Sequence, residues 1–175
     1  MHSDPLLAVT VLGDDRPGIV AELTTALAGL GANLEDSTMT LLRGHFAMVV
    51  LVRGAVSVAA VQTALAGLAA QGSLTVDVRA LRESGMPPAP GTAWTLRVHG
   101  ADRPGIVAAV TDVVARHGGN VVDLGTRLGS GLYVLVAEVE LPEGAAVDEL
   151  ERDLREAASE LGVRVAFERV DDEVL

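Results

Sequence analysis

Two short segments of this chain carry the residue types from which a receptor for a small zwitterion can be built. Gly13-Asp14-Asp15-Arg16-Pro17-Gly18-Ile19-Val20-Ala21 recurs as Gly100-Ala101-Asp102-Arg103-Pro104-Gly105-Ile106-Val107-Ala108, with eight of nine positions identical at an offset of 87. In each copy an acid precedes Arg-Pro-Gly, and a run with apolar positions at helical spacing follows. A helix beginning there presents backbone N–H groups that have no intrahelical acceptor, at the positive end of its dipole. Such an end seats a carboxylate. Gly18 and Gly105 place no side chain between a ligand and that backbone. Asp15 and Asp102 stand within reach of an ammonium group, so donors and acceptor together match a free amino acid.

The same residues admit plainer readings. Asp15 can cap its own helix, and Gly18 can serve only tight strand–helix packing. Pro17 and Pro104 suit a first helical turn. Asn33 and Asn120 begin the strand after the helix. Their amides can donate and accept toward a ligand if strand start and turn lie close, or they can simply tolerate a left-handed turn after glycine. Arg16 and Arg103 can meet a ligand carboxylate, pair with a nearby acid or point to solvent. The two copies keep this set while their helix surfaces diverge, as at Thr25 against Asp112 and Gly29 against Arg116.

The elements that must position these residues also repeat. An apolar strand (6–12; 94–98) ends at the GxDRPG turn, and a helix follows with its apolar face at 19, 20, 23, 26, 27 and 30, or at 106, 107, 110, 113 and 114. Gly31 and Gly118 stand where a helix C-cap glycine belongs. Two strands join at Arg43-Gly44 and Ser130-Gly131. A second helix carries Val58, Val61, Leu65 and Leu68, or Val147, Leu150, Leu154, Ala157 and Leu161. The last strand alternates at 74–79 and 163–168. The order is βαββαβ twice: an α+β chain of two ferredoxin-like modules, each a four-stranded antiparallel sheet with two helices on one face. The expected boundaries are 4–83 and 92–171, joined by a Pro/Gly linker at 84–91 and followed by an acidic tail at 172–175.

Composition removes several classes of function. The net charge is −11, all 13 basic residues are Arg, and 13 of the 24 acids follow residue 137. No basic stripe offsets that charge, so direct nucleic-acid binding is not expected. RNA-recognition motifs share this element order, but they need stacking aromatics that only Phe46 and Tyr133 could supply here. The chain has no cysteine, hence no disulfide framework and no thiol nucleophile. His2, His45, His99 and His117 do not cluster or repeat, and no metal site or cofactor is expected. The longest apolar run, 46–52, is far short of a membrane span. The cytoplasm is the expected location.

With these residues in view, 13–52 and 100–139 with their closing elements resemble two ACT domains, the small-ligand regulatory modules attached to many enzymes of amino-acid metabolism. The DRPGIVA segments, each followed by Gly-x-Asn at Gly31 and Gly118, carry the resemblance. A tandem pair with nothing else attached is similar to the glycine cleavage system transcriptional repressor family, which implies a sensor rather than an enzyme. The serine-binding ACT pattern maps onto Gly13, Asp15 and Asn33, and onto Gly100, Asp102 and Asn120. Glycine stands here where that pattern has His, and Asp where it has Asn. The candidate ligand set is thus Gly13, Asp15, Arg16, Gly18, Ile19 and Asn33, with Gly100, Asp102, Arg103, Gly105, Ile106 and Asn120. The expected partners are a small amino acid, a second copy of the chain and a regulated protein. The alternatives are a ligand-free oligomerisation or adaptor module and, with an acid before each Arg against it, an acylphosphatase-like enzyme.

Overall fold

The computed structural model describes residues 4–70, 72–82, 91–129 and 131–170. Most of the expected linker and the whole acidic tail lie outside them, and Gly91, expected in the linker, opens a strand. Contacts divide the chain into two compact units, Met1–Met86 and Pro87–Leu175. The first contains β1 (Leu6–Asp14), α1 (Ile19–Gly29), β2 (Asn33–Leu42), β3 (His45–Arg53), α2 (Val58–Ala64), α3 (Ala66–Ala70) and β4 (Leu74–Ala80). The second contains β5 (Gly91–Ala101), α4 (Ile106–Arg116), β6 (Asn120–Gly129), β7 (Leu132–Pro142), α5 (Val147–Leu161) and β8 (Val163–Arg169).

Each unit folds its strands into one antiparallel sheet, in the orders β2-β3-β1-β4 and β6-β7-β5-β8. Alternation along the central strands decides which face is covered. Leu7, Val9 and Val11 of β1 and Phe46, Met48, Val50 and Val52 of β3 pack against Ile19, Leu23 and Leu27 of α1 and against Val61, Leu65 and Leu68. In the second unit Leu96, Val98, Leu135, Ala137, Val139 and Leu141 meet Ile106, Val110, Val113, Leu150 and Leu154. No polar or charged residue is buried among the described residues. With few aromatic rings, aliphatic side chains carry each core, and burying one Val, Leu or Ile contributes about 1.5–3 kcal/mol.

The first helix of each unit ends as its glycine requires. Gly31 and Gly118 take φ of 73° and 75°. The N–H of Gly31 bonds the Ala28 carbonyl and that of Ala32 the Leu27 carbonyl. Gly118 to Ala115 and Gly119 to Val114 repeat the pattern, a Schellman closure in both copies. The chain then turns straight into β2 or β6, each with a bulge at the same place, between Leu34 and Asp36 and between Val121 and Asp123.

One element differs from the sequence expectation. The second helix of the first unit is broken at Leu65, where φ and ψ are −94° and 0°. The N–H of Leu68 bonds the Leu65 carbonyl three residues back, tightening the chain into a 3₁₀ turn. Both Leu65 and Leu68 are thereby buried. Gly67, a poor helix former, stands just after the break, and burial of the two leucines sets the path of the segment. The counterpart, α5, runs unbroken for 15 residues.

Candidate functional site

The first strands run further than the apolar pattern alone indicates. β1 continues through Gly13 and Asp14 and β5 through Gly100 and Ala101, so the turns reduce to Asp15–Gly18 and Asp102–Gly105. That extension explains Gly13 and Gly100. A Cβ at Gly13 would fall 1.8 Å from the Ser73 carbonyl oxygen, and one at Gly100 would fall 2.9 Å from Val163 Cγ1. Both glycines exist to let the first and last strands approach. A histidine, as in the serine-binding pattern, has no room at either position.

Gly18 and Gly105 have a different reason. Each is the N-cap of its helix, in the left-handed region at φ 92° and 94°. A Cβ there would meet only ordinary contacts at Gly18 and open space at Gly105. Conformation, not tight packing, therefore demands glycine. Pro17 and Pro104 precede the cap, rather than occupying the first helical turn, because this left-handed residue stands between them and the helix. Neither helix has a side-chain cap. Asp15 and Asp102 thus do not act as caps: three residues separate each from Ile19 or Ile106, and the glycine turns the chain between them. The first intrahelical bonds are Glu22 N–H to Gly18 and Ala109 N–H to Gly105, both 2.9 Å. No side chain caps the N–H groups at the start of either helix.

Charge around the two turns is arranged differently. Asp15 and Asp102 are exposed, and their carboxylates have no partner among the described residues. Arg16 is committed: its terminal nitrogens donate to both carboxylate oxygens of Glu22 at 2.8 and 2.7 Å. Hydrogen bonding to that guanidinium holds the Glu22 carboxyl below the usual range. Arg16 Nε is itself shut from solvent without an acceptor. At the second turn the position of Glu22 is Ala109. Arg103 is exposed, makes no ion pair among the described residues, and its guanidinium lies beside Gly162 at the C-terminus of α5.

An open depression of about 480 Å³ gathers the first turn with the start of α1. Asp15, Arg16, Gly18, Ile19, Val20 and Ala21 line it, and Met39 of β2 and Phe46 of β3 complete it. Polar groups thus sit on the turn and apolar ones on the strands, the division a small amino acid needs. Register identifies the corresponding residues of the second unit as Thr126 and Tyr133. A groove of about 580 Å³ beside α1, α2 and α3 is larger, but Glu22, already paired with Arg16, is the one charged residue lining it.

Asn33 and Asn120 lie elsewhere. Asn33 pairs with Arg53, which pairs with Leu6 at the start of β1, whereas the turn follows Asp14 at its end. Eight steps along β1 separate them by roughly 26 Å. Asn120, opposite Glu140, is likewise at the far end of its sheet from Ala101. The expectation that strand start and turn meet within a module is therefore wrong, because β2 leaves α1 at the end of the sheet away from the turn. Neither Asn takes a positive φ, so the left-handed reading fails as well. Sequence reasoning missed Met39 and Phe46. Their signal was the hairpin turn at Arg43-Gly44, which fixes the β2–β3 register and brings Phe46 opposite Leu41 and Met39 opposite Met48. Among the described residues no helix is long and apolar enough to cross a membrane, and no group of three or more His, Cys, Asp or Glu could hold a metal ion.

The profile of the ACT domain matches residues 5–79 and 95–168. The glycine cleavage system transcriptional repressor of Escherichia coli is 29% identical over 128 residues, covering 73% of this chain and 67% of the repressor. A UPF0237 protein of Methanopyrus kandleri is 38% identical over 81 residues, 46% of this chain and 90% of its own. A crystal structure of an unknown protein from Galdieria sulphuraria superimposes with a TM-score of 0.79 at 33% identity, covering 95% of this chain and 99% of that one.

Proposed function

From the premise that this chain belongs to the ACT domain family, we propose that it is a non-catalytic regulatory protein that binds a small amino acid at Asp15–Gly18 and at Asp102–Gly105. One observation carries the reading: an uncapped helix start lies beside an uncommitted carboxylate in both copies. The ligand carboxylate accepts from the N–H groups of Ile19, Val20 and Ala21, or of Ile106, Val107 and Ala108. The ammonium group pairs with Asp15 or Asp102. At the first turn Met39 and Phe46 receive an apolar side chain. Asn33 and Asn120 stand too far from their own turns to share in this, so they serve the turn of a second copy of the chain.

Regulation follows from differential binding. A ligand held at a turn and completed by a second copy of the chain favours one packing of modules over others, and so changes the affinity for a regulated protein. Such coupling is typically about 1–3 kcal/mol. The likeness to the Escherichia coli repressor supports regulation rather than catalysis. With a charge of −11, any effect on transcription passes through a protein partner in the cytoplasm.

Calorimetry and thermal melts against the twenty amino acids test the proposal. At 100 times its dissociation constant a ligand should add about 2.7 kcal/mol of stability. Asp15→Ala and Asp102→Ala should weaken binding and leave the melting temperature of the free protein nearly unchanged. A protein that no amino acid stabilises at saturating concentration sinks the reading.

A further inference from the structure

The two turns share a backbone and differ in the charge around it. Gly18 and Gly105 hold φ and ψ of 92° and −6°, and of 94° and −7°, so the arginine two residues earlier starts from the same place in each copy. In the first unit that arginine reaches the depression completed by Met39 and Phe46. Three acids stand there, Asp14, Asp15 and Glu22. Glu22 holds Arg16 in its two-oxygen fork, and Asp14 lies 3.3 Å from His45. A second carboxylate on a ligand would meet a surplus of negative charge. Of these three acids the second copy keeps only Asp102, with Ala101 and Ala109 at the other two positions. Arg103 rests beside Gly162 with no ion pair to break among the described residues.

The strands beside the turn change in the same direction. Register sets Thr126 and Tyr133 where the first unit has Met39 and Phe46. Tyr133 packs at the border of the core, on the helix-covered side of the sheet, and both side chains are half-buried. Neither hydroxyl makes a hydrogen bond among the described residues. Two apolar groups have become two donors, and an arginine has lost its acid. A receptor for an apolar side chain has thus turned into one rich in donors that lack an acceptor.

We propose, on the footing that both turns bind amino acids, that the second turn takes one with a side-chain carboxylate, as in aspartate or glutamate. The first turn keeps its apolar specificity, so one chain reads two different amino acids. At the second turn the α-carboxylate lies at the start of α4 and the ammonium group pairs with Asp102, as at the first. The side-chain carboxylate accepts from Arg103, whose planar fork matches two oxygens, and from the hydroxyls of Tyr133 and Thr126. Selectivity comes from these donors, because an apolar side chain would shut them from water without partners. Met39 and Phe46 reject a carboxylate for the opposite reason: they offer it no hydrogen bond.

Calorimetry on the full chain with matched pairs, L-glutamate against L-glutamine and L-aspartate against L-asparagine, isolates the effect of charge. Asp15→Ala and Asp102→Ala each silence one turn and assign the remaining heat to the other. In the Asp15→Ala protein an acidic amino acid should bind about tenfold more tightly than its amide. Arg103→Ala should bring that ratio to within about threefold of unity, and so should Ala109→Glu, which restores the acid of the first turn. L-leucine and L-methionine should bind a site that Asp15→Ala abolishes and Asp102→Ala retains. Arg103 is exposed, so its variant keeps the test decisive if Ala109→Glu fails to fold. Acid and amide bound alike at the second turn, or a preference that survives Arg103→Ala or a folded Ala109→Glu, would overturn the specificity and leave amino-acid binding standing. A chain that binds none of these six at either turn would overturn both.

Discussion

Both terminal nitrogens of Arg16 bond both carboxylate oxygens of Glu22, and this fork separates the first turn chemically from the second. Arg103 occupies the same place in the repeat but has Ala109 where the acid stood. The Arg16 guanidinium is neutralised before a ligand arrives, while that of Arg103 remains available to an anion. Arg103→Ala should therefore weaken ligand binding at the second turn by roughly tenfold, the loss of a charge-assisted bond worth about 1.5 kcal/mol. Arg16→Ala should leave the first turn within about threefold. Two-site calorimetric titration of each variant measures both effects, and equal losses would remove the distinction.

The turn glycines predict a graded series. Gly18→Ala and Gly105→Ala force a side chain into the left-handed region and should each cost about 1–2 kcal/mol. Gly13→Ala should cost more, toward the upper end of about 1–3 kcal/mol, because the obstruction is the Ser73 backbone and β4 must move to admit the methyl group. Denaturant unfolding of the three variants gives the order. A Gly13→Ala protein as stable as wild type would mean that β1 and β4 separate more readily than their pairing indicates.

Asn33 gives a test of how the site is assembled. Its amide lies at the opposite end of its sheet from Asp15, and Leu34 beside it pairs with Val52. Asn33→Ala should therefore weaken amino-acid binding while leaving the unfolding midpoint of the free protein within about 0.5 kcal/mol, as expected of a surface substitution. Unaltered affinity would show that each turn binds without help from any strand start.

What could be read from the chain and what could not follow one physical division. The apolar periods of 2 and 3.6, the Gly31 and Gly118 closures and the repeat at offset 87 are local signals, and the strands and first helices follow them. The position of Asn33 is set by which end of the sheet the chain enters after α1, a consequence of strand order that spacing does not carry. Met39 and Phe46 join the turn only through the β2–β3 register. The Arg16–Glu22 pair spans six residues, and no periodicity announces it, since helix-surface pairs sit three or four apart. The break at Leu65 accompanies the burial of two leucines beside Gly67, a poor helix former.

The second module carries a link between its helices that the first lacks. His117 closes α4, its Nε2 is 2.9 Å from Asp153 Oδ2 on α5, and the two side chains are 15% and 24% exposed. The counterpart of His117 in the first module is Leu30. The hydrogen bond to His117, followed by the nearby Arg152, holds the Asp153 carboxyl below its ordinary value of 3.8. A carboxylate depressed in the folded state adds stability that is complete above the unfolded pKa and lost as pH falls through the folded one. The second module should hold this contribution from pH 7 to about 5 and lose it progressively below about 4. Asp153→Asn should lower stability at neutral pH and flatten the acid limb. The single Trp94, stacked on Phe167 at 4.9 Å, reports this module's unfolding by fluorescence. An acid limb equally steep in wild type and Asp153→Asn would mean that the α4–α5 contact rests on Val110, Leu150 and Leu154 alone.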